Sequence, residues 1–300
     1  MIDRSDVAWS CLVDDTPEIW SSIVPWLATA IELARIEPSR IHVHHVCPLR
    51  PRLEELCHRL KINTRKTETF DLRFPHTNKI RQCATAFTDA KYVILTDVDV
   101  VFAGRPPLDQ IRTPVAGKLV DEPNPPVEIL RKIFSISGLP APRSYTNTYC
   151  PSQKAPTDFE TFAGNHNGGV LVFDRAHLAQ IGQAWAHWAR WLIGRIELLG
   201  RWSIHVDQVS FCLAVNQLGL DVGLLDETWN YPLHLNVASG GSEPFLLHHH
   251  AFFEDTQLLK QVSTGRTRDA IARVNDAIKT FRRKHLRDCA ESGATSRDTD

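Results

Sequence analysis

With 300 residues, 43% hydrophobic and 23% charged, the chain is too long for a minimal domain and can bury a substantial core. A length of this order predicts two units, or one large α/β domain with insertions. Its 34 Lys and Arg against 35 Asp and Glu leave a formal net charge of −1, which excludes the bulk polycation of a general nucleic-acid coat. Residues Met1 to Asp6 lack the apolar core of a signal peptide. Asp14, Asp15, Glu18 and Glu32 interrupt the most apolar early stretch, so no bilayer span is expected. Seven scattered cysteines without a CxxC pair argue against both a disulfide framework and a structural zinc site. The expected location is cytoplasmic.

In chain order, Val7 to Val13 is an apolar run ending at Asp14 and Asp15. Thr16, Pro17 and Glu18 then signal a helix start, with proline at the first helical position and an acid in the first turn. Ile19, Ile23, Trp26, Leu27, Ala30 and Ile31 follow at helical spacing. A strand is predicted over Ile41 to Cys47, a helix over Leu53 to Leu60, a strand near Thr67 to Leu72 and a helix over Asn78 to Phe87. Tyr92 to Thr96 is an apolar strand that stops at Asp97 and Asp99. This alternation predicts a mostly parallel, Rossmann-like sheet with helices on both faces. Ligands of such sheets sit at the carboxyl ends of the strands, where Asp14, Asp15, Asp97 and Asp99 fall.

Residues 105–165 hold ten prolines and suggest one short helix, Val127 to Ser137; a loop of this length is expected to be functional and to lie over the site. Regular structure resumes with a strand over Gly169 to Phe173. Next come a long amphipathic helix (Leu178, Ile181, Trp185, Trp188, Leu192, Ile196), a helix over His205 to Leu218 and short strands over Val222 to Leu225 and Phe245 to His250. Gln257 to Leu286 reads as mostly helical. The expected organisation is one domain over 1–287: a nucleotide-binding half (1–104), the Pro-rich insertion (105–165) and an acceptor-side half with C-terminal helices (166–287). Residues 288–300 have the composition of a disordered tail.

Asp97 and Asp99, one residue apart at a strand end, can face one ligand and offer hard oxygen donors suited to Mg²⁺ or Mn²⁺. A polar turn closing a buried strand is the plainer alternative. Asn167, Gly168 and Gly169 precede an apolar strand, where glycines allow a close backbone approach. Asp207 and Gln208 open a helix and could grip sugar hydroxyls. His248 and His250 share one face of their strand, with His249 on the other.

Taken in order, Val13 to Asp15, Arg81, Asp97 with Asp99, Asn167 to Gly169, Asp207 with Gln208, Trp229 with Asn230, and His248 resemble a GT-A-fold glycosyltransferase. The likeness is greatest to family 8, the glycogenin and lipopolysaccharide galactosyltransferase group. It implies transfer of a sugar from a nucleotide-diphosphate sugar, UDP-hexose before others, to an acceptor hydroxyl, with retention favoured by the Asp207–Gln208 pair. The acceptor stays open among carbohydrate, lipid-linked, protein and small-molecule classes. By the same resemblance, Val13 and Asp14 or Asp15 hold the nucleoside, and Arg81, with Lys79 beside it, approaches the nucleotide or donor sugar. Asp97, Asp99 and His248 (His250 as second choice) ligate Mn²⁺ or Mg²⁺, and Asn167 to Gly169, Asp207 and Gln208 meet the transferred sugar. Two features depart from that family: Thr96 stands where leucine is usual, and no glycine–lysine phosphate clamp follows His248.

An inverting reaction would need a base at the acceptor hydroxyl, for which His166, Asp158 and Glu160 are candidates. Val93 to Val101 also fits the opening of a haloacid-dehalogenase-like phosphatase, with Asp97 as nucleophile and Asp99 as acid/base; a catalytically inactive nucleotide-sugar binding protein is the remaining alternative. The basic run Lys279 to Arg287 offers a weak peripheral contact with an anionic membrane at its inner face, or a solvated helix end.

Overall fold

The computed structural model describes residues 2–147, 158–233, 242–250, 253–254, 257–261 and 267–286. Strand β1 (Val7–Val13) leads through helix α1 (Pro17–Glu32) to β2 (Ile41–His45), and α2 (Pro51–Leu60) leads to β3 (Asn63–Lys66). A 3-10 stretch, Pro75–Ala84, precedes β4 (Tyr92–Thr96) and β5 (Val100–Phe102). Next come β6 (Val115–Leu119), α3 (Val127–Ser137), β7 (Ser144–Asn147), β8 (Phe159–Phe162) and β9 (His166–Asp174). The chain then runs through α4 (Arg175–Ile193), α5 (Val206–Gln217), β10 (Val222–Leu224), β11 (Tyr231–Pro232), β12 (Leu246–His248) and α6 (Arg268–His285).

Seven strands form the central sheet in the order β10-β6-β9-β4-β1-β2-β3. All its pairings are parallel except those of β9, which runs antiparallel to both β4 and β6. Alternation along the strands feeds two cores. Trp9, Cys11, Ile94, Val170 and Val172 face α1 and α6 on one side, while Ala8, Val93, Leu95, Leu171 and Phe173 face α4 and α5 on the other. The mostly parallel, helix-covered sheet expected from the sequence is present.

Thr96, the departure noted before Asp97, has a place in this packing. Its Oγ1 accepts from the buried indole Nε1 of Trp26 at 2.8 Å, satisfying a donor that leucine would leave stranded.

The structure corrects several local expectations. The edge strand is β3, not Thr67 to Leu72. Its four residues are all exposed, so no apolar alternation marks it, whereas the next segment is irregular and anchored by Phe70 N–H donating to Asn78 Oδ1 at 2.7 Å. The helix expected over Asn78 to Phe87 is the earlier, tighter 3-10 stretch Pro75–Ala84. Residues 257–261 are not helical: the Asn275 side chain on α6 bonds both the N–H and the carbonyl of Leu259, which bridges antiparallel to Phe253.

The Pro-rich segment is more than a cover. α3 lies where predicted, but the same segment contributes β6, an interior strand of the central sheet. The tail 288–300, Cys150 and Cys289 lie outside the described residues. Cys11, Cys47, Cys57, Cys83 and Cys212 are free thiols. Among the described residues no helix is long and apolar enough to cross a membrane.

Candidate active site

The direction of β9 decides where the chemistry gathers. Because β9 is antiparallel to its neighbours, its first residues, His166 to Gly169, lie at the edge where β1, β4 and β6 end. Asp14, Asp97 and Asp121 follow those three strands, and the N-termini of α1 and α5 open there too. Of these, Asp14, Asp97, Asp121, Asn167 and Gly168 line a cavity of ≈ 640 Å³, within the usual range for a small-molecule site.

A second, three-stranded sheet, β11-β12-β5, brings in the late histidines. β12 runs antiparallel to β5 with His248 opposite Val100, and His249 N–H donates to the Asp99 carbonyl at 2.9 Å. His248 Nε2 lies 3.3 Å from one Asp99 carboxylate oxygen and His250 Nδ1 3.7 Å from the other. His250 adopts φ +44°, uncommon outside glycine, and its ring stacks on that of His248 at 3.7 Å. His249 points the other way, into the core against Phe253, as period-two alternation predicts. Burial opposes protonation of His248, but adjacent Asp99 outweighs it and raises the imidazole pKa. For Asp99, burial would raise the pKa; the neighbouring imidazoles, His248 first, hold it well below the usual carboxylate range.

Asp97 has a different partner. Lys79 Nζ lies 2.7 and 3.0 Å from its two carboxylate oxygens, 3.3 Å from Asp207 Oδ2 and 3.2 Å from the Gly168 carbonyl. Burial works against the lysine charge, yet Asp97 and then Asp207 keep its pKa above the ordinary value. Burial pushes Asp97 up against the pull of Lys79, with Asp99 adding to the rise. The donor set that could hold a cation is therefore Asp99, His248 and His250, one atom from each lying within 4.8 Å of the others. Asp97, expected in that set, is engaged by Lys79.

Gly168 and Gly169 make room for these side chains. A Cβ on Gly168 would sit 2.7 Å from Lys79 Nζ, and one on Gly169 would sit 2.7 Å from His248 Nδ1 and 2.9 Å from Asn230 Nδ2. Buried contacts of that length force a shift costing about 1–3 kcal/mol. Gly169→Ala is therefore expected to lower unfolding free energy by about that much in urea titration and to move the His248 ring resonances by NMR. Asn167 Oδ1 accepts from Gly169 N–H and Asn230 Nδ2, and its amide donates to Asp121 Oδ2 at 2.6 Å. Asp121 also pairs with buried Lys118.

Other predicted residues fall as follows. Asp14, Lys79, Asp97, Asp99, Asn167, Gly168, Asp207, Gln208, His248 and His250 all line the cavity. Val13 and Gly169 do not line it. Asp15 is exposed and accepts from Trp20 Nε1, which leaves Asp14 as the acid on the cavity side. Arg81 points away: its guanidinium donates to the Thr69 carbonyl and lies over the Phe70 ring, and Lys79, two residues earlier, takes the place expected for it. None of the three candidate bases lines the cavity. His166 is fully buried, with burial lowering its pKa to about 3; Glu160 pairs with exposed Arg131, and Asp158 is exposed. Sequence reasoning missed Asp121, Glu122, His76 and the role of His205, whose Nδ1 is 3.2 Å from the Gln208 amide nitrogen.

Residues 21–219 match the model of the Rhodobacterales glycosyltransferase domain family. The chain belongs to that family. Within the matched span of this glycosyltransferase lie Lys79, Asp97, Asp99, Asp121, Asn167, Asp207 and Gln208, while Asp14, His248 and His250 lie outside it. The phosphatase alternative for Asp97 and Asp99 is set aside by the family assignment. Among solved structures, the chain resembles apo mouse xyloside xylosyltransferase 1, at 13% identity and a TM-score of 0.48 over 81% of this chain and 97% of that one. It also resembles GlyE of Streptococcus pneumoniae TIGR4, at 13% identity and a TM-score of 0.49 over 93% of this chain and 64% of that one. No curated protein matches the sequence.

Proposed function

We propose that this protein is a metal-dependent GT-A-type glycosyltransferase of family 8 character, with Asp97 and Asp99 as its DxD motif. It moves a sugar, with retention, from a nucleotide-diphosphate sugar, UDP-hexose in first place, to an acceptor hydroxyl. The observation that carries this is the convergence of Asp99, His248 and His250 on one point of the cavity wall. One carboxylate and two imidazoles suit Mn²⁺ better than Mg²⁺, which prefers an all-oxygen set.

Charge supports a cation independently. The cavity is lined by Asp14, Glu18, Asp97, Asp99, Asp121, Glu122 and Asp207, against Lys79 as its one lysine or arginine among the described residues. A diphosphate entering that wall alone meets more like charge than opposite charge. A divalent cation on Asp99, His248 and His250 would offset charge building on the departing diphosphate.

The chain's own residues do the rest by position. Lys79 holds Asp97 and Asp207 together, and Asp207 lies in the first turn of α5, from which Gln208 reaches the cavity beside His205. Asp14 stands at the end of β1, fitted to the nucleoside, and Asn167, held by Gly169, Asn230 and Asp121, to the sugar. Retention rests on the Asp207–Gln208 pair, both of which line the cavity, whereas His166, Asp158 and Glu160 do not line it and Asp121 is engaged by Lys118 and Asn167.

Thermal-shift screening against UDP-, GDP-, CMP- and dTDP-sugars, with and without Mn²⁺, tests the proposal. Stabilisation should appear with the UDP series only when Mn²⁺ is present, reaching about 2.7 kcal/mol at a hundredfold excess over Kd. Slow donor hydrolysis under the same conditions separates an enzyme from an inactive binding protein. A shift independent of metal, or none with any nucleotide, overturns the assignment.

A further inference from the structure

The geometry points to a docking surface for an anionic phospholipid membrane, built around the mouth of the cavity rather than on the C-terminal helix. Two segments form it: residues 69–75, and the stretch from the end of α4 to His205. They are joined where Arg190 lies over the Phe70 ring, 5.0 Å from its centroid. Two of the four large apolar side chains left exposed among the described residues stand here, Leu72 at 89% and Ile204 at 56%. Ile204, Pro75 and His76 also line the cavity.

Beside Leu72, Asp71 and Arg73 pair with each other, and the net positive charge comes from the stretch that ends at His205. Arg190, Arg195 and Arg201 are exposed, and none pairs with a carboxylate among the described residues; Glu197 is the sole acid between 190 and 205. Arg195 lies 4.7 Å from the Trp191 ring and Arg201 4.6 Å from the Trp202 ring. Half-buried tryptophans carrying guanidinium groups, beside protruding leucine and isoleucine, match the bilayer interface: rings and aliphatic tips enter the headgroup boundary and the arginines meet lipid phosphates. A soluble polyanion would account for the arginines but not for Leu72 and Ile204.

The basic face of α6 is placed less well for a membrane-bound acceptor. Lys279, Arg282, Arg283 and Leu286 line a shallow depression of ≈ 450 Å³, but Lys284 beside them pairs with Glu32, the last residue of α1. Glu18, in the first turn of α1, lines the cavity. Sixteen residues of helix put the two ends about 24 Å apart. Docking through the cavity rim would bring a lipid-linked acceptor to the site; that consequence rests on the cavity being the transfer site, whereas the docking itself does not.

The test is co-sedimentation of the full chain, without donor or metal, with vesicles of phosphatidylcholine alone and of phosphatidylcholine mixed with phosphatidylglycerol. Binding is expected to the anionic vesicles only. Joint substitution Arg190→Gln, Arg195→Gln and Arg201→Gln should weaken it on the order of a hundredfold. Leu72→Asp with Ile204→Asp, at exposed positions that leave folding intact, should also reduce binding, while Lys279→Gln with Arg282→Gln and Arg283→Gln should not. Equal binding to neutral vesicles, or loss through the α6 variant with the rim variants intact, overturns the proposal. So does a dimer in sedimentation velocity that the rim substitutions dissolve, which would assign the patch to a second copy. A failed donor screen alongside retained vesicle binding would refute only the proposed reaction.

Discussion

Asp99→Asn should lower sugar transfer by roughly 10²–10⁴-fold, the several kcal/mol that one essential electrostatic contact supplies to a transition state. The substitution preserves shape but removes the anion that faces both His248 and His250. A cation would then lean on two imidazoles without the carboxylate that offsets its charge. Mn²⁺ affinity, read by calorimetry or paramagnetic broadening, should fall in step with kcat. Asp97→Asn is the discriminating comparison. Since Asp97 is held by Lys79 at 2.7 Å and lies outside the three-ligand group, Mn²⁺ affinity should suffer less there than in Asp99→Asn. Equal loss in the two variants would return Asp97 to the ligand set. Retained activity in Asp99→Asn would remove the cation from the proposed reaction altogether.

The elements legible in the sequence were those whose burial writes a period. β1, β4 and α3 are recovered nearly residue for residue because each packs one face or both against the core. β3 carries no such record: it lies at the sheet edge with every residue exposed. β6 was hidden differently. Val115 to Leu119 is short, contains Gly117 and Lys118, and sits among prolines, so composition outweighed its apolar character. Losing β6 also lost Asp121, although it follows that strand's end as Asp14 follows β1. The rule that placed Asp14 and Asp97 at the ligand edge would have found Asp121 had the strand been recognised.

The functional residues divide the same way. Spacing could place His248 and His250 on one face because alternation is local. No local signal distinguishes Asp97 from Asp99, whose partners come from distant segments: Lys79 from the 3-10 stretch, His248 from β12 and His250 from just beyond it. Arg81 and Lys79 were separated only by which way a 3-10 turn, rather than an α-helix, aims them. An irregular segment of this kind has no fixed 3.6-residue phase from which to predict orientation.

Lys79→Met should lower the unfolding free energy by about 3–5 kcal/mol, the cost of breaking a buried ion pair and leaving its partners charged. The side chains concerned are well enclosed: Lys79 is 10% exposed and Asp207 4%. Methionine fills much of the volume, so the loss is electrostatic rather than a cavity. Its pH dependence gives the sign. In the variant, Asp97, whose pKa burial already pushes up, loses the cation that opposes the rise, so its folded-state pKa lies above that of the unfolded chain. Stability linked to such groups is present at low pH and is lost as pH rises through the folded pKa. The deficit relative to wild type should therefore be largest at neutral pH and narrow as the solution is acidified, in urea titrations across that range. Adding Asp207→Asn to Lys79→Met should recover part of the loss at neutral pH, because one of the two uncompensated charges is gone. A deficit unchanged by acid and by the second substitution would mean that Lys79 contributes packing alone. The ion network joining α5, β4 and the 3-10 stretch would then have no part in holding the cavity floor together.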